Sequence, residues 1–201
     1  IPLGKLAKII EMASYPWSEV ESKIISIKSG QKKGEVCPKF PIKFSKQLGS
    51  IIGHVLGDGS IDSRYKQVFF SNSNKELLKE FAENMAQVFN VKPRIWMQMK
   101  TMPFKEKTRW ERRLNNINEL EDGKNCGLFY PAIVGLILNH IFDNFADGKN
   151  KNLSVSIFNL NIDFKIGLIR AFYDDEGTVD VCSRSIRLFQ DRKNILELME
   201  K

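Results

Sequence analysis

Residues 48–83 recur at 166–201 with a constant offset of 118 residues and no gap. Gly49 matches Gly167, Ile51 matches Ile169, Gly59 matches Gly177, Asp62 matches Asp180, Lys75 matches Lys193 and Leu78 matches Leu196. A chain repeated in this way is constrained to two related units about an internal pseudo-twofold. In the same alignment Asp58 stands against Glu176.

The start of each copy has helical apolar spacing. Gly49, Gly53 and Gly57 recur every fourth residue, as do Gly167, Ala171 and Asp175. A spacing of four places each trio on one stripe of a helix. Glycine costs about 1 kcal/mol in a helix interior relative to alanine, so three in one short helix require a reason. Small residues in a stripe let two backbones approach closely, and the two helices are expected to pack stripe to stripe. That brings Asp58 and Glu176 together at the C-terminal ends of two neighbouring helices. The helix dipole is negative there, and two converging carboxylates raise each other's pKa. A divalent cation relieves both conflicts. Carboxylate oxygens suit Mg²⁺, which binds through one or two carboxylates plus substrate phosphate oxygens. Such a site fits phosphodiester cleavage.

The chain has 201 residues and a formal charge of +7, with a pI near 9.3. This balance favours polyanionic partners, nucleic acid or a membrane surface. The longest apolar run, near 129–138, is too short to span a bilayer and contains Pro131 and Gly135. Cys37, Cys126 and Cys182 are odd in number and widely spaced, which points to a reducing, intracellular (cytoplasmic) setting rather than a disulfide framework. With only His54 and His140 besides, a structural zinc site is not expected. His54, inside the first helix, reads as a packing residue.

Residues 1–45 read as a small helical extension. Helices are expected over 3–13 and 17–29, the second capped by Ser18 with Glu21 as its reciprocal partner. A first unit of helices and strand pairs fills 46–162. Its first helix covers 45–56, strand residues alternate over 61–71 with a break at 64–66, and Ser73 caps a helix over 75–89. Strands follow at 94–100 and 107–114, then helical spacing over 126–145 and a polar linker at 147–152. The second unit, 163–201, holds only the first helix, the first strand pair and a helix start, so it reads as truncated.

Eight basic and two acidic residues fall within 92–113. Alternation places Arg94, Trp96, Gln98 and Lys100 on one face, and Lys107, Arg109 and Arg113 likewise on the next strand. A two-stranded ribbon of this kind fits the major groove, where arginine pairs with guanine and glutamine with adenine. Arg64 and Lys66 on the first hairpin, with Arg184 and Arg187 on its repeat, extend the basic surface. Phe69, Phe70, Phe81, Phe89 and Phe129 read as core.

The segments Ile51-Ile52-Gly53-His54-Val55-Leu56-Gly57-Asp58-Gly59 and Ile169-Arg170-Ala171-Phe172-Tyr173-Asp174-Asp175-Glu176-Gly177 resemble the two signature motifs of LAGLIDADG homing endonucleases. The stretch Phe40-Pro41-Ile42-Lys43 is also similar to archaeal and intein-borne members. The resemblance implies an α+β fold of paired αββαββα units with the two signature helices at the centre. It implies a site-specific, Mg²⁺-dependent double-strand DNA endonuclease, intron- or intein-encoded and monomeric with pseudo-twofold symmetry, unless a second chain completes the truncated unit. Asp58 and Glu176 would hold the metal. Asn72 and Gln190, equivalent under the offset, would orient active-site water. A catalytically silent DNA- or RNA-binding protein, a regulator or intron maturase, is the alternative. Three positions depart from the motif: Leu56 replaces an acid, and Arg170 and Asp175 are bulkier than usual at the helix seam.

Overall fold

The computed structural model describes residues 3–28, 35–38, 40–98, 110–143, 145–147, 150–180 and 182–188. The chain begins with helices α1 (Leu3–Met12) and α2 (Trp17–Glu21) and the two-residue strands β1 (Ile27–Lys28) and β2 (Glu35–Val36), which pair antiparallel. The second helix is much shorter than its apolar spacing suggests. It starts at Trp17 after Pro16, so Ser18 lies inside it and makes no cap. Pro16, extended through its ψ of 125°, precedes the first turn, and farther on Ile27–Lys28 pair as a strand with Glu35–Val36 instead of continuing the helix.

Helix α3 (Lys46–Leu56) follows. Ser45 caps it by accepting the Leu48 N–H. Strands β3 (Gly59–Ile61) and β4 (Val68–Asn72) form a hairpin, and α4 (Lys75–Phe89) crosses behind it. Asn74 rather than Ser73 caps α4, accepting from Glu76 and Leu77 N–H. The shorter hydroxyl one residue earlier is too far from the first turn. Strands β5 (Arg94–Gln98) and β6 (Trp110–Leu114) pair next to β7 (Cys126–Phe129), which leads into α5 (Ala132–Ile141).

Helical spacing over 126–145 thus hid a strand. Cys126–Phe129 is the central strand of a five-stranded antiparallel sheet, in the order β3-β4-β7-β5-β6. A short apolar run buried between two neighbours carries no period that separates strand from helix. Pro131 then serves as N-cap of α5. The unit therefore has one strand more than αββαββα.

One face of the sheet carries the core. Ile61, Val68, Phe70, Ile95, Met97 and Leu128 point inward against Leu48, Ile51, Ile52 and Val55 of α3 and Leu78, Phe81 and Met85 of α4, all buried. Phe69 and Phe129 were expected there but lie half-buried on the opposite face, where their rings meet at 4.7 Å. The strand period decides this, because Phe69 and Phe70 must point to opposite sides.

The stretch expected as a polar linker is a tight antiparallel pair, β8 (Ala146–Asp147) with β9 (Asn150–Lys151). Helix α6 (Ile162–Glu176), capped by Asn161, then packs along α3, the most extensive contact between any two elements. It runs into the hairpin of β10 (Gly177–Asp180) and β11 (Ser185–Leu188).

The duplication is visible in backbone detail. Gly59 pairs with Phe70 and Ile61 with Val68; 118 residues on, Gly177 pairs with Leu188 and Val179 with Ile186. The hairpin turns agree as well: Lys66 has φ +53° and its equivalent Arg184 has φ +52°. In both, an aspartate holds the turn, Asp62 accepting from Arg64 and Tyr65 N–H and Asp180 from Ser183 N–H. Burial is not duplicated. Ile166 and Ile169 are each 47% exposed and Val179 is 68% exposed, whereas Leu48, Ile51 and Ile61 are fully buried. Among the described residues, α6 has a partner on its α3 side and none over this apolar stripe. Among the described residues, no helix is long and apolar enough to cross a membrane.

Candidate active site and nucleic-acid interface

The α3–α6 seam is built on small residues that lie against the facing helix in symmetry-related contacts. A Cβ added at Gly49 would collide with the Phe164 carbonyl, and one added at Gly167 would collide with the Lys46 carbonyl. Phe164 and Lys46 are themselves 118 apart, so these two contacts are one contact reversed. At the far end of the seam Gly57 faces Asp175, with a Cβ there only 2.6 Å from the Asp175 Cβ. The bulk of Asp175 is accommodated by the glycine opposite. Arg170, the other bulky residue, points outward and pairs with Glu80 (3.4 Å) and Asp174 (3.6 Å).

Asp58 follows α3, and Glu176 ends α6. Burial of its carboxyl, then the charges of Asp175 and Glu176, push the pKa of Asp58 up to about 6, against the pull of Lys151 and His54. Two carboxylates brought together at helix C-termini resist ionisation in this way. Asn72, at the end of β4, donates from Nδ2 to Asp58 Oδ2 at 2.8 Å and accepts the Asn74 N–H on its Oδ1 at 2.8 Å. Its amide orientation is thereby fixed toward the acid. Gln190 lies outside the described residues.

Three further groups complete the cluster. His54 and Asp175 have fully buried side chains, and His54 Nδ1 lies 3.1 and 3.0 Å from the two Asp175 oxygens. The Asp58 N–H points at Asp175 Oδ2 at 3.4 Å. Desolvation raises the pKa of Asp175 while its His54 and Asp58 hydrogen bonds lower it, leaving it above the usual carboxylate value. Lys151, on β9, is buried and donates from Nζ to the Leu56 and Gly57 carbonyls at 2.8 and 2.6 Å. These are end-of-helix carbonyls without partners along the helix. An ammonium there also complements the dipole.

Sequence reasoning took His54 as packing, treated Asp175 only as a bulky exception and did not consider Lys151. Two of the three left a signal. Asp175 is the counterpart of Gly57, so stripe-to-stripe packing sets them face to face, and His54 lies one turn before Asp58. Lys151 left none, because its position depends on how the β8–β9 pair folds back.

Among the described residues, no group of three or more His, Cys, Asp or Glu side chains is placed to hold a metal ion. Asp58, its proton affinity raised in part by Glu176, and Glu176 itself still fit an Mg²⁺ ion, which takes few protein ligands and leaves the rest to phosphate and water.

The outer face of the sheet carries Arg94, Trp96 and Gln98, in alternation with buried Ile95 and Met97. Arg113 sits opposite Trp96 across the β5–β6 ladder and is exposed. Gln98 Oε1 accepts from Asn125 at 3.1 Å. Half-buried Phe69 and Phe129 continue this face. Arg64 is exposed with its guanidinium over Tyr65 (5.1 Å). Lys66 stands at the positive-φ position of the same turn. Arg184 is exposed, and Arg187 is held by Asp180 at 2.9 Å. Lys100, Lys107 and Arg109 lie outside the described residues. The three cysteines are free thiols.

Residues 45–121 match the family model of the LAGLIDADG-like domain. No curated protein matches the sequence. Among solved structures, the chain is similar to one described as belonging to "mesophilic variants from the homing endonuclease I-DmoI", at 18% identity and a TM-score of 0.44, over 78% of this chain and 74% of that one.

Proposed function

We propose that this chain, a member of the LAGLIDADG family through its domain at residues 45–121, is a site-specific double-strand DNA endonuclease that hydrolyses phosphodiester bonds with Mg²⁺. The observation that carries the reading is the convergence of Asp58 and Glu176 from two facing helices, with the Asp58 pKa raised to about 6 in part by Glu176. Asp58 and Glu176 would hold the metal. When bound, Mg²⁺ offsets charge on the scissile phosphate and lowers the pKa of an attacking water.

The chain's own groups divide the remaining tasks. Asn72 holds one oxygen of Asp58 and fixes its rotamer. Lys151 offsets local negative charge from behind the helix end. Arg94 and Arg113 would meet phosphates or guanine, and Gln98 and Trp96 base edges and sugars. Arg64, Lys66, Arg184 and Arg187 flank this face on the two hairpins. The pseudo-twofold matches the two antiparallel strands of a duplex, one acid being presented to each.

The test selects binding sites from randomised duplexes and assays cutting of a selected site in Mg²⁺. Cleavage by the unaltered chain should fall at least about a hundredfold in Asp58→Asn or Glu176→Gln, since metal contacts supply several kcal/mol. Undiminished cutting by the double variant would end the metal-site assignment. Binding without any cleavage would instead make the chain a catalytically silent DNA- or RNA-binding protein of this fold.

A further inference from the structure

The buried pair His54–Asp175 crosses the helix seam directly behind the acids and has no role in the reading above. Asp175 reaches out of α6 into the space left by Gly57 of α3. Its carboxylate meets two donors, His54 Nδ1 of α3 (3.0 and 3.1 Å) and the backbone N–H of Asp58 just past the end of that helix (3.4 Å). The His54 ring is fixed from the other side by Phe70 (centroids 4.8 Å apart) and Phe81 (5.7 Å). Both side chains are fully buried.

Among the described residues, His54 Nε2 is buried and has no hydrogen-bond partner. A proton there would be an unsatisfied buried donor, which places the ring proton on Nδ1, facing Asp175. The histidine is therefore aimed at one acceptor only. A buried polar pair costs more than the apolar contact that a leucine and an alanine would make across the same seam. The neighbouring contacts of the seam, Gly53 against Ala171 and Leu168, have no such pair.

We infer that His54 and Asp175 are positioning residues: they latch the last turn of α3 to α6 and so hold the Asp58 backbone, and with it the Asp58 carboxylate, in register with Glu176. The inference rests on the reading of Asp58 and Glu176 as the metal-holding acids. Groups that orient metal ligands from behind typically change metal affinity by about 10–100-fold when removed.

The test uses Mn²⁺ as probe, its binding to the full chain followed by electron paramagnetic resonance, with thermal melting run on each variant. The unaltered chain should bind Mn²⁺, and Asp58→Asn should abolish it. His54→Phe, which keeps the ring on Phe70 and Phe81 but removes the N–H, should weaken binding about tenfold. His54→Asn, whose Nδ2 stands near the lost Nδ1, should restore it to within about twofold. Should His54→Phe fail to fold because Asp175 is left unpaired, the double variant His54→Phe/Asp175→Asn removes that charge, and it should melt as a folded chain while still binding weakly. A folded double variant that binds Mn²⁺ as tightly as the unaltered chain overturns the inference. So does His54→Phe tightening the binding, which would make Asp175 a direct ligand. Absence of Mn²⁺ binding to the unaltered chain refutes the metal reading of Asp58 and Glu176 itself, a distinct outcome.

Discussion

Gly57 of α3 lies directly against Asp175 of α6, its own counterpart 118 residues on, with a Cβ at Gly57 only 2.6 Å from the Asp175 Cβ and 2.7 Å from Oδ2. At this end of the seam the two helices, packed side by side, set repeat-equivalent residues face to face. Any side chain added at Gly57 displaces the carboxylate that the Asp58 N–H and His54 engage.

Further along the seam the obstacle is backbone rather than side chain. Gly49→Ala would drive a methyl into the Phe164 carbonyl, and Gly167→Ala into that of Lys46. Neither carbonyl can move without its helix. Each substitution should destabilise the chain by about 1–3 kcal/mol or more despite alanine's better helix propensity, measured by urea unfolding. Gains in stability would refute the close approach of α3 and α6.

Burial differs between the copies and gives a paired test. Leu48 is fully buried, while its equivalent Ile166 is 47% exposed. Leu48→Ala should cost about 2–5 kcal/mol. Ile166→Ala in this chain should cost well under half of that. Equal losses would mean that α6 is covered as α3 is.

Asp58 sets a pH dependence with a definite sign. Its pKa stands at about 6 in the folded chain against an ordinary value of 3.8, so between those values the folded chain binds more protons than the unfolded one. Stability contributed by this group therefore falls as pH rises from about 4 to about 6. Metal binding requires the deprotonated acid, so Mg²⁺-supported cleavage and Mn²⁺ affinity should rise through pH 6. Glu176→Gln removes one of the charges holding the value up and should move the Asp58 titration profile, followed by carboxyl ¹³C NMR in the metal-free chain, to lower pH. An unshifted profile would mean that the two acids do not sense each other.

Lys151 acts in the opposite direction. Lys151→Met keeps a similar stem but strips the Leu56 and Gly57 carbonyls of their ammonium donor. Leaving buried acceptors unsatisfied costs about 1–3 kcal/mol, visible as a lowered melting temperature. Loss of its charge should also push the Asp58 profile above pH 6. A downward shift would contradict the placement of the ammonium behind Asp58.

On the sheet, Arg94 and Arg113 are exposed on the face opposite the core. If each neutralises a phosphate, Arg94→Gln and Arg113→Gln should each reduce the slope of log K against log salt by about 1, measured by fluorescence anisotropy on duplex DNA. Slopes that stay the same would remove this face from the interface.

The sequence by itself determined the parts that repeat. Period-four glycines dictate a close helix seam, because only missing side chains let two backbones approach, and a fixed offset dictates which residues meet there. From that alone Gly49, Gly167, Asp58 and Glu176 take their places, and the alternation of Arg94–Gln98 assigns its faces. Tertiary structure decided whatever depended on partners distant in the chain. Cys126–Phe129 is a strand because β4 and β5 flank it, which outweighs its helical spacing. Phe69 and Phe129 lie outside the core because pairing fixes the register of their strands. Lys151 reaches the end of α3 only because β8 and β9 fold back, and His54 meets Asp175, 121 residues on, only because their two helices are packed against each other. Local spacing encodes period and face; hydrogen-bond partners across a hundred residues are fixed by packing, and that packing decided which groups surround Asp58.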